Sequence, residues 1–409
     1  MAKLCMKLPP FSPDYSGVCS TLFPWDALTV IHDASGCTGN YTGYDEPRWF
    51  HSRAPIYCSG LREIDAILGD DEKLIQKVLY ALEDVKPEMI ALVGSPVPMV
   101  IGADMEGIAR EIENRTGIMS FGFDTTGIGY YPKGMEMVYE KVIKRVLEEG
   151  EGENKQRIIE KEKEYQNELQ KNTNSVNIIG AILIDFGKSS TLEDLEQFLV
   201  DNGFTINVSL WKNITKKDIL RLKEGACNIV VSHAGIELAE YMKQQYGIPY
   251  VIGLPFGEQH ALLWLEQLKK AMCSFEKAGD ATGIYELSEK QKEKESIKSE
   301  SKILIIGEQF QSDSIRKAIE ADYGYCCDVG GICGWREEFA KEGDKFLESE
   351  AEIEAMLNDT RYEIIIGDSL YKGLLHKDKK FYEYSHYAVS SKLGNTKAES
   401  FVAKKIILK

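Results

Sequence analysis

Residues Met89–Gly94 read MIALVG, a short apolar run that ends at a glycine and precedes a helical pattern. Four further runs of the same kind follow in the chain, at Val176–Gly187 (VNIIGAILIDFG), Asn228–Ser232 (NIVVS), Ile303–Gly307 (ILIIG) and Glu363–Gly367 (EIIIG). Strands that are buried on both faces give continuous apolar runs, and a helix after each run supplies the crossover that parallel strands need. The sequence therefore predicts an α/β fold with parallel sheets flanked by helices.

The chain has 409 residues, which is more than one hydrophobic core supports, so several domains are expected. Two charge-rich stretches interrupt the alternation of strands and helices, and such stretches are typical of solvated helices or linkers. They divide the chain into three Rossmann-like domains. The predicted boundaries are 1–150 for an N-terminal α/β domain, 151–175 for a charged helical linker, 176–285 for a middle α/β domain, 286–302 for a second charged linker and 303–409 for a C-terminal α/β domain.

The formal net charge of −16 argues against a nucleic-acid partner, because phosphate binding needs a basic surface. The sequence contains no run of about 20 apolar residues and does not begin with the apolar run of a signal peptide. We therefore expect a cytoplasmic protein with no membrane partner. Its nine cysteines should stay reduced there, as metal ligands, reactive thiols or, for most of them, buried core residues.

The first sixty residues do not show the strand–helix alternation and are rich in residues that favour loops. Within them, Ser16–Asn40 reads SGVCSTLFPWDALTVIHDASGCTGN and places Cys19 and Cys37 in a C-x17-C pattern. Zinc and ferredoxin-type sites cluster their cysteines about two to four residues apart, whereas this spacing suits a cluster held between structural elements or between subunits. Gly17 and Gly36 would let backbone amides approach the cluster sulfides.

Several segments, in order along nearly the whole chain, resemble nitrogenase component 1 subunits. His32–Trp49 (HDASGCTGNYTGYDEPRW) is similar to the family's second cluster-cysteine loop, and Cys19 matches the first cluster cysteine. The other matching segments are Cys58–Gly69 (CSGLREIDAILG), Met89–Ile112 (MIALVGSPVPMVIGADMEGIAREI) and Tyr246–Gly257 (YGIPYVIGLPFG). The chain is thus identified as a member of the nitrogenase component 1 superfamily, as a nitrogenase-like oxidoreductase subunit and not a true nitrogenase. Serine stands at Ser95, where the family carries its third cluster cysteine.

The resemblance implies an iron–sulfur cluster, either [4Fe–4S] or like the nitrogenase P-cluster, that lies on a subunit interface. Its ligands in this chain would be Cys19, Cys37 and Cys58, although Cys58 is equally compatible with a buried structural thiol. Ser95 and Asp33 are weaker candidates that would supply an oxygen ligand. The remaining ligands would come from a homologous subunit, in a homodimer or in a heterodimer or heterotetramer.

The same resemblance implies a second partner, a P-loop iron protein that hydrolyses ATP and delivers electrons. The sequence has no G-x-x-x-x-G-K-[ST] motif, so the energy of ATP would have to come from such a reductase component.

His233 and His386 are weak candidates for a second, substrate-reducing site, because each lies where ligands bind in α/β folds. The alternative for both is a hydrogen-bonded loop histidine. No cysteine stands at Val231–His233, where the family's cofactor ligand would be, and Cys227, four residues before Val231, would point elsewhere. This argues against a nitrogenase-type cofactor. A second metallocofactor or a tetrapyrrole is compatible with the family but has no support in these residues.

Cys326, Cys327 and Cys333 lie in CCDVGGICGW, which is predicted to be a glycine-rich loop. It matches no ligand position of the family, and the role of these cysteines stays open.

We expect a subunit of a nitrogenase-like reductase that accepts low-potential electrons through its interfacial cluster and passes them to a substrate or cofactor. One alternative is a cofactor-assembly scaffold related to nitrogenase maturation proteins. A second is a non-catalytic partner subunit that resembles the nitrogenase β chain. The sequence does not identify the substrate.

Overall fold

The fold consists of three parallel β-sheets, each flanked by helices, in a computed structural model of the chain. The structure describes residues 5–52, 54–154, 174–187, 189–275, 302–391 and 399–408. Every strand pair within the three sheets is parallel. The predicted α/β class with Rossmann-like units is therefore confirmed.

The first sheet has the strand order β2-β1-β3-β4. Its strands are β1 (Ala27–Ile31), β2 (Ile56–Cys58), β3 (Met89–Val93) and β4 (Met119–Phe123). Its helices are α1 (Asp14–Leu22), α2 (Gly36–Asn40), α3 (Glu63–Leu68), α4 (Asp71–Ala81), α5 (Pro96–Ile101), α6 (Met105–Thr116), α7 (Tyr131–Val138) and α8 (Lys144–Asn154). A π-helical turn, Tyr139–Ile143, joins α7 to α8.

The second sheet has the order β6-β5-β7-β8. Its strands are β5 (Ser175–Ile179), β6 (Thr205–Ser209), β7 (Cys227–Val230) and β8 (Tyr250–Ile252), and its helices are α9 (Leu183–Phe186), α10 (Thr191–Asp201), α11 (Lys216–Arg221), α12 (Ile236–Tyr246) and α13 (Glu258–Phe275).

The third sheet has the order β11-β10-β9-β12-β13. Its strands are β9 (Ile303–Gly307), β10 (Cys327–Gly331), β11 (Lys345–Phe346), β12 (Ile364–Gly367) and β13 (Lys380–Glu383), and its helices are α14 (Gln309–Tyr323), α15 (Glu350–Leu357) and α16 (Tyr387–Ser390).

The first sheet is covered on both faces, which explains why its central strands are continuous apolar runs. Leu28 of β1 and Ile90 of β3 point towards α4 and α6, in a core that includes Val78 and Ile112. The alternate residues of the same strands point towards α1 and α7, in the larger core. Because the side chains of a strand alternate between its two faces, both faces of a fully covered strand must be apolar.

Two glycines bring α1 and α7 into direct backbone contact. A Cβ atom on Gly17 would lie 1.9 Å from the carbonyl oxygen of Tyr131, and one on Gly134 would lie 1.9 Å from that of Asp14. No other residue type fits this close approach without moving a helix. Gly17, predicted to admit amides to a cluster, therefore serves helix packing.

Strands β1, β2 and β3 end at the same level of the first sheet. Ile31 is in register with both Cys58 and Val93. The chain therefore leaves all three strands at one edge of the sheet.

Several predicted elements differ from the structure. The first sixty residues form α1, β1, α2 and β2 and are not mainly loops. The strand predicted over Val176–Gly187 ends at Ile179, because Gly180 takes a φ of +77° and the buried helix α9 follows. The segment after Cys326 forms β10 and is not a loop, since Trp335 and Leu347 pack over its glycines.

The predicted linkers lie largely outside the described residues, which omit 155–173 and 276–301. The domain boundaries, including those at 151–175 and 286–302, therefore stay predictions. Within the described ranges, no helix combines the length and the apolar character needed to cross a lipid bilayer.

Candidate functional site

The candidate site lies where the connections of the first sheet reverse direction. After β2, the chain passes over β1 to form β3, so the loops that follow β1 and β3 diverge. Ligands of open α/β sheets bind beside the carboxyl ends of strands at such a switch point. The turn after β1 carries Asp33 and leads into α2, which carries Cys37, while Ser95 follows β3 and β2 ends on Cys58.

Asp33 forms hydrogen bonds both with the segment that carries Cys37 and with the segment that carries Cys58. Its backbone N–H donates to Ser59 Oγ at 3.1 Å, and its carbonyl oxygen accepts from the Cys58 thiol at 3.4 Å. Its carboxylate accepts from the backbone N–H groups of Ser35 and Thr38, at 2.9 and 3.1 Å. The carboxylate therefore orders the turn that leads into Cys37, while the backbone holds Cys58.

The turn before Cys37 carries backbone strain. Ser35 has a φ of 129°, a value that favours glycine and costs a residue with a Cβ atom on the order of 1–3 kcal/mol. The hydrogen bond from the Ser35 N–H to Asp33 stabilises this backbone conformation. The turn at Ser35 lets α2 begin at Gly36. Strain of this kind is concentrated at functional sites.

The Cys37 thiol is half-buried and surrounded by polar groups. Burial and the negative charge of Asp33 raise its pKa, whereas hydrogen bonds with the hydroxyls of Tyr15 and Ser95 act in the opposite direction. Ser95 also donates to the carbonyl oxygen of His32 at 2.9 Å. Three predicted residues, Cys37, Ser95 and Asp33, are thus brought together.

Cys58 lies on the other side of Asp33 and is also half-buried. Its sulfur accepts a hydrogen bond from the backbone N–H of Gly60 at 3.4 Å while the thiol donates to the Asp33 carbonyl. Hydrogen bonds from backbone amides to sulfur are the contacts that tune iron–sulfur clusters. The thiol is therefore not enclosed in an apolar core.

Cys19 lies in the middle of α1 and not on a loop, which corrects the expectation from its neighbouring glycine. It is fully buried, and burial together with the charges of Glu46 and Asp45 raises its pKa well above the ordinary value. Glu46 is held by Arg48 in an ion pair of 2.7 Å. The polar groups that act on Cys19 therefore differ from those that act on Cys37.

Within the described ranges, no three His, Cys, Asp or Glu side chains are grouped so that they could hold one metal ion. The three-cysteine set of Cys19, Cys37 and Cys58 therefore stays a prediction.

An exposed apolar face adjoins the site. Helix α3 follows the segment that carries Cys58, helix α5 follows Ser95 directly, and the two helices contact each other. Their exposed apolar side chains are Ile64, Ile67 (71% exposed), Leu68 (69%), Val97, Met99, Val100 (77%) and Ile101. We call these residues the α3–α5 face. A contiguous group of this kind marks an interaction surface.

The two predicted histidines lie elsewhere, buried among residues of all three units. His233 Nδ1 lies 2.9 Å from Glu308 Oε1, and His386 Nε2 lies 3.2 Å from Asp185 Oδ1. Asp185 also accepts a hydrogen bond from the Tyr131 hydroxyl. Both histidines are therefore hydrogen-bonded, and their catalytic role stays a prediction.

Cys333 lies near this buried polar group, and Cys327 is buried in β10. Burial, together with the negative charges of Asp185 and Glu308, raises the pKa of Cys333 well above its ordinary value. Cys273, in α13, is exposed. Cys326 is half-buried at the start of β10.

Sequence reasoning missed Ser59 at the candidate site, and Asp185 and Glu308 at the buried polar group. Ser59 follows the predicted ligand Cys58 directly, so a strand that ends at Cys58 would have indicated it.

Residues 22–320 match the family model for nitrogenase component 1 type oxidoreductases. The chain belongs to this family. The resemblance found in the sequence is thereby confirmed, and with it membership among nitrogenase component 1-like oxidoreductases.

Among curated relatives, the nitrogenase iron-molybdenum cofactor biosynthesis protein NifE of Methanosarcina barkeri is 25% identical over 62% of this chain and 53% of its own length. A subunit of the light-independent protochlorophyllide reductase of Prosthecochloris aestuarii is 34% identical over 23% of this chain and 18% of its own length. The chain thus spans about half the length, or less, of these relatives. The structure of nitrogenase Cp1 at pH 6.5 has the same fold, with a TM-score of 0.55 at 15% identity over 93% of this chain and 70% of that one.

Proposed function

We propose that this chain is the electron-transfer subunit of a nitrogenase-like reductase, in which Cys37 and Cys58 bind an iron–sulfur cluster. The observation that carries the proposal is that two half-buried thiols lie on either side of Asp33, at the switch point of the first sheet. Cysteine thiolates are the ordinary ligands of iron–sulfur clusters. When bound, the cluster would supply a site that takes up and releases one electron at a time.

The site is completed by a homologous subunit that packs against the α3–α5 face. A [4Fe–4S] cluster takes four ligands, normally thiolates, and Cys37 and Cys58 would supply two of them. The exposed side chains of the α3–α5 face follow directly after the segments that carry Cys58 and Ser95. A second subunit on this face would cover the cluster and exclude water from it.

The residues around the sulfur atoms set the electrostatics of the bound cluster. The Gly60 N–H donates a hydrogen bond to the Cys58 sulfur at 3.4 Å and stabilises negative charge on it. The Asp33 carboxylate opposes added negative charge, but its hydrogen bonds to Ser35 and Thr38 direct it towards the turn. The balance of these groups determines how readily the cluster accepts an electron.

The electron donor in this proposal is an ATP-dependent iron protein with a P-loop. The 409 residues contain no P-loop motif, so a separate protein supplies the energy of ATP hydrolysis. The relative named as a component of protochlorophyllide reductase supports a reductase role.

The test is iron binding by protein purified or reconstituted without oxygen. Wild-type protein and the Cys273→Ala control should bind iron and show an iron–sulfur absorption and paramagnetic resonance signal. Cys37→Ala and Cys58→Ala should lose most of both, because each removes one thiolate. Cys19→Ala decides whether the buried thiol of α1 is a third ligand. Iron-free wild-type protein, or equal iron in Cys37→Ala and wild type, would refute the proposal.

A second candidate function is a scaffold on which a metal cofactor is assembled. It is favoured by the similarity to the cofactor biosynthesis protein NifE over 62% of this chain. Iron-loaded protein mixed with an apo-reductase of the family distinguishes the two functions. A scaffold would transfer its metal to the acceptor, whereas an electron-transfer subunit would retain its iron and be oxidised and reduced in place.

A further inference from the structure

Residues 6–13 run from the third unit to the start of α1, and we call this segment the strap. Its outer end is held by the carboxylate of Glu350, the first residue of α15. The backbone N–H groups of Met6, Lys7 and Leu8 all donate to this carboxylate, at distances of 2.7 to 3.0 Å. Successive backbone amides of this kind form a concave anion site, so one side chain of the third unit fixes three residues of the strap.

The inner end of the strap joins two backbone segments through a single residue. Ser12 N–H donates to the carbonyl oxygen of Ala388 at 3.1 Å, and the Ser12 carbonyl oxygen accepts from Tyr131 N–H at 3.0 Å. Ala388 lies two residues after His386, and Tyr131 is the first residue of α7. Ser12 therefore connects the backbone of the third unit to that of the first, beside residues of the buried polar group.

The two segments that Ser12 joins also meet through their side chains. The Tyr131 hydroxyl donates to Asp185 Oδ1, which lies 3.2 Å from His386 Nε2, and all three side chains are almost fully buried. Within the described residues, Asp185 Oδ2 and His386 Nδ1 have no hydrogen-bond partner. Buried polar atoms are normally hydrogen-bonded to protein, water or ligand, so these two atoms are the ones that an entering polar molecule would contact.

The anchor at Glu350 is the exposed part of the strap. Met6 is 82% exposed, and the Lys7 ammonium forms a surface ion pair with Glu354, a kind of pair that contributes little. Leu8, by contrast, is 6% exposed and packs in the large core that all three units share. Loss of the hydrogen bonds to Glu350 therefore frees the strap as far as Leu8, and movement of Leu8 reaches this core.

We propose that the strap is a gate, which keeps the polar group of Asp185, His386 and Tyr131 closed while Glu350 holds its outer end and opens it when this anchor is released. A polar ligand that is to reach Asp185 would enter in the released state. In the closed state, the strap joins the first and third units next to the side-chain contact at Asp185. This gate requires no cluster at the candidate site, so it is tested separately from the proposed function.

Modification of buried cysteines reports whether the gate opens. Cys333 is 7% exposed and belongs to the same core as Leu8. The next residue, Gly334, packs against the buried His233, since a Cβ atom on it would lie 2.0 Å from Nε2. Cys227 is fully buried in β7, so its modification reports unfolding of the second unit. The rates at which iodoacetamide modifies the two cysteines in the native full-length protein, mapped by mass spectrometry, therefore separate opening from unfolding.

Glu350→Gln should raise the modification rate of Cys333 about tenfold, because a neutral amide weakens hydrogen bonds that the charge had strengthened. The rate at Cys227 should not change. The control is Glu363→Gln, which removes the same charge from an exposed position of the third unit, where Glu363 pairs with Lys302 at 3.4 Å, and it should keep the wild-type rates. An unchanged rate at Cys333, or an equal rise at Cys227, would overturn the gate.

A second pair of variants decides the question if Glu350→Gln does not fold. Lys7→Pro removes one of the three N–H donors, whereas Lys7→Ala removes the ion pair with Glu354 and keeps that donor. Of the two, Lys7→Pro alone should accelerate the modification of Cys333. Equal rates in the two variants would mean that the backbone hydrogen bonds to Glu350 do not hold the strap, which would overturn the proposal.

Discussion

The carboxylate of Asp185 and the imidazole of His386 are joined in the interior, with Oδ1 and Nε2 3.2 Å apart. Asp185 lies in α9 of the second unit and His386 directly precedes α16 of the third unit, and both are almost fully buried. The Tyr131 hydroxyl of the first unit donates to the same carboxylate oxygen. One acidic side chain therefore connects all three units.

Replacing His386 with alanine should destabilise the protein. The variant leaves Asp185 in the interior with one partner fewer, which costs about 1–3 kcal/mol in the free energy of unfolding. Denaturant unfolding followed by circular dichroism measures the change. The control is His376→Ala, because His376 pairs with Glu354 but is 63% exposed, and such surface pairs contribute little. Equal losses in both variants would contradict the structural role of His386.

Acidification should destabilise the protein through His260. Burial, and secondarily the charge of Lys317, lowers its pKa from 6.5 to about 4. The unfolded chain then binds a proton that the folded chain does not, so stability is unaffected above pH 6.5 and falls as the pH drops from 6.5 to about 4. The shift corresponds to a loss of ~3 kcal/mol over that window.

The check is the difference in unfolding free energy between pH 7.5 and pH 4.5, in wild type and in His260→Gln. The glutamine amide can still donate to the Phe256 carbonyl oxygen, which lies 3.0 Å from His260 Nδ1. The variant should lose less stability on acidification than wild type. If the free energy of unfolding fell by the same amount in both proteins, the pKa of His260 would not be lowered in the folded chain.

Alanine at Gly17 should disturb the contact between α1 and α7. The added methyl group would lie 1.9 Å from the Tyr131 carbonyl oxygen, so one helix must move, at a cost of about 1–3 kcal/mol or more. Thermal unfolding measures the loss. Gly373→Ala is the control, because nothing lies within 4 Å of the added atom. Equal thermal unfolding midpoints in the two variants would contradict the direct backbone contact between α1 and α7.

If a homologous subunit packs on the α3–α5 face as proposed, glutamate at Ile67 and Val100 should prevent this association without unfolding the chain. Both side chains are exposed in the α3–α5 face, at 71% and 77%, so a charge there costs little in the isolated chain but much in an interface. Sedimentation of the double variant should show a monomer with reduced iron content. Val200→Glu, 53% exposed on α10, is the matched control and should retain the wild-type assembly.

Much of the fold was predictable because a buried strand appears in the sequence as a short, continuous apolar run. Ile303–Gly307 forms a strand over the predicted range, since all five residues are buried and apolar or small. The α/β class followed from five such runs. Elements that depend on distant packing were harder. Gly17 looked like a loop residue beside Cys19, but it is a helix contact whose partner, Tyr131, is remote in sequence.

The candidate site was predictable to a similar extent. Cys37 was found from its spacing to Cys19 and from the family resemblance, and Ser95 and Asp33 were named as weaker candidates beside it. Cys19 was wrongly assigned to a loop, because its helix begins after a proline and contains a glycine. At the buried polar group, Asp185 and Glu308 could not be found, since they meet His386 and His233 only when the three units pack together.

Strands β1, β2 and β3 end in register at one edge of the sheet, and this arrangement affects how easily an electron is transferred there. Neighbouring strands lie about 4.8 Å apart, and hydrogen bonds along the whole sheet keep this spacing nearly constant. Ile31, Cys58 and Val93 are held by the hydrogen bonds of the sheet, so residues next to them move less than residues in the middle of a loop. A redox centre bound at this edge, as proposed, would change oxidation state with little displacement of the surrounding atoms. Because that displacement is small, the barrier to electron transfer would be low.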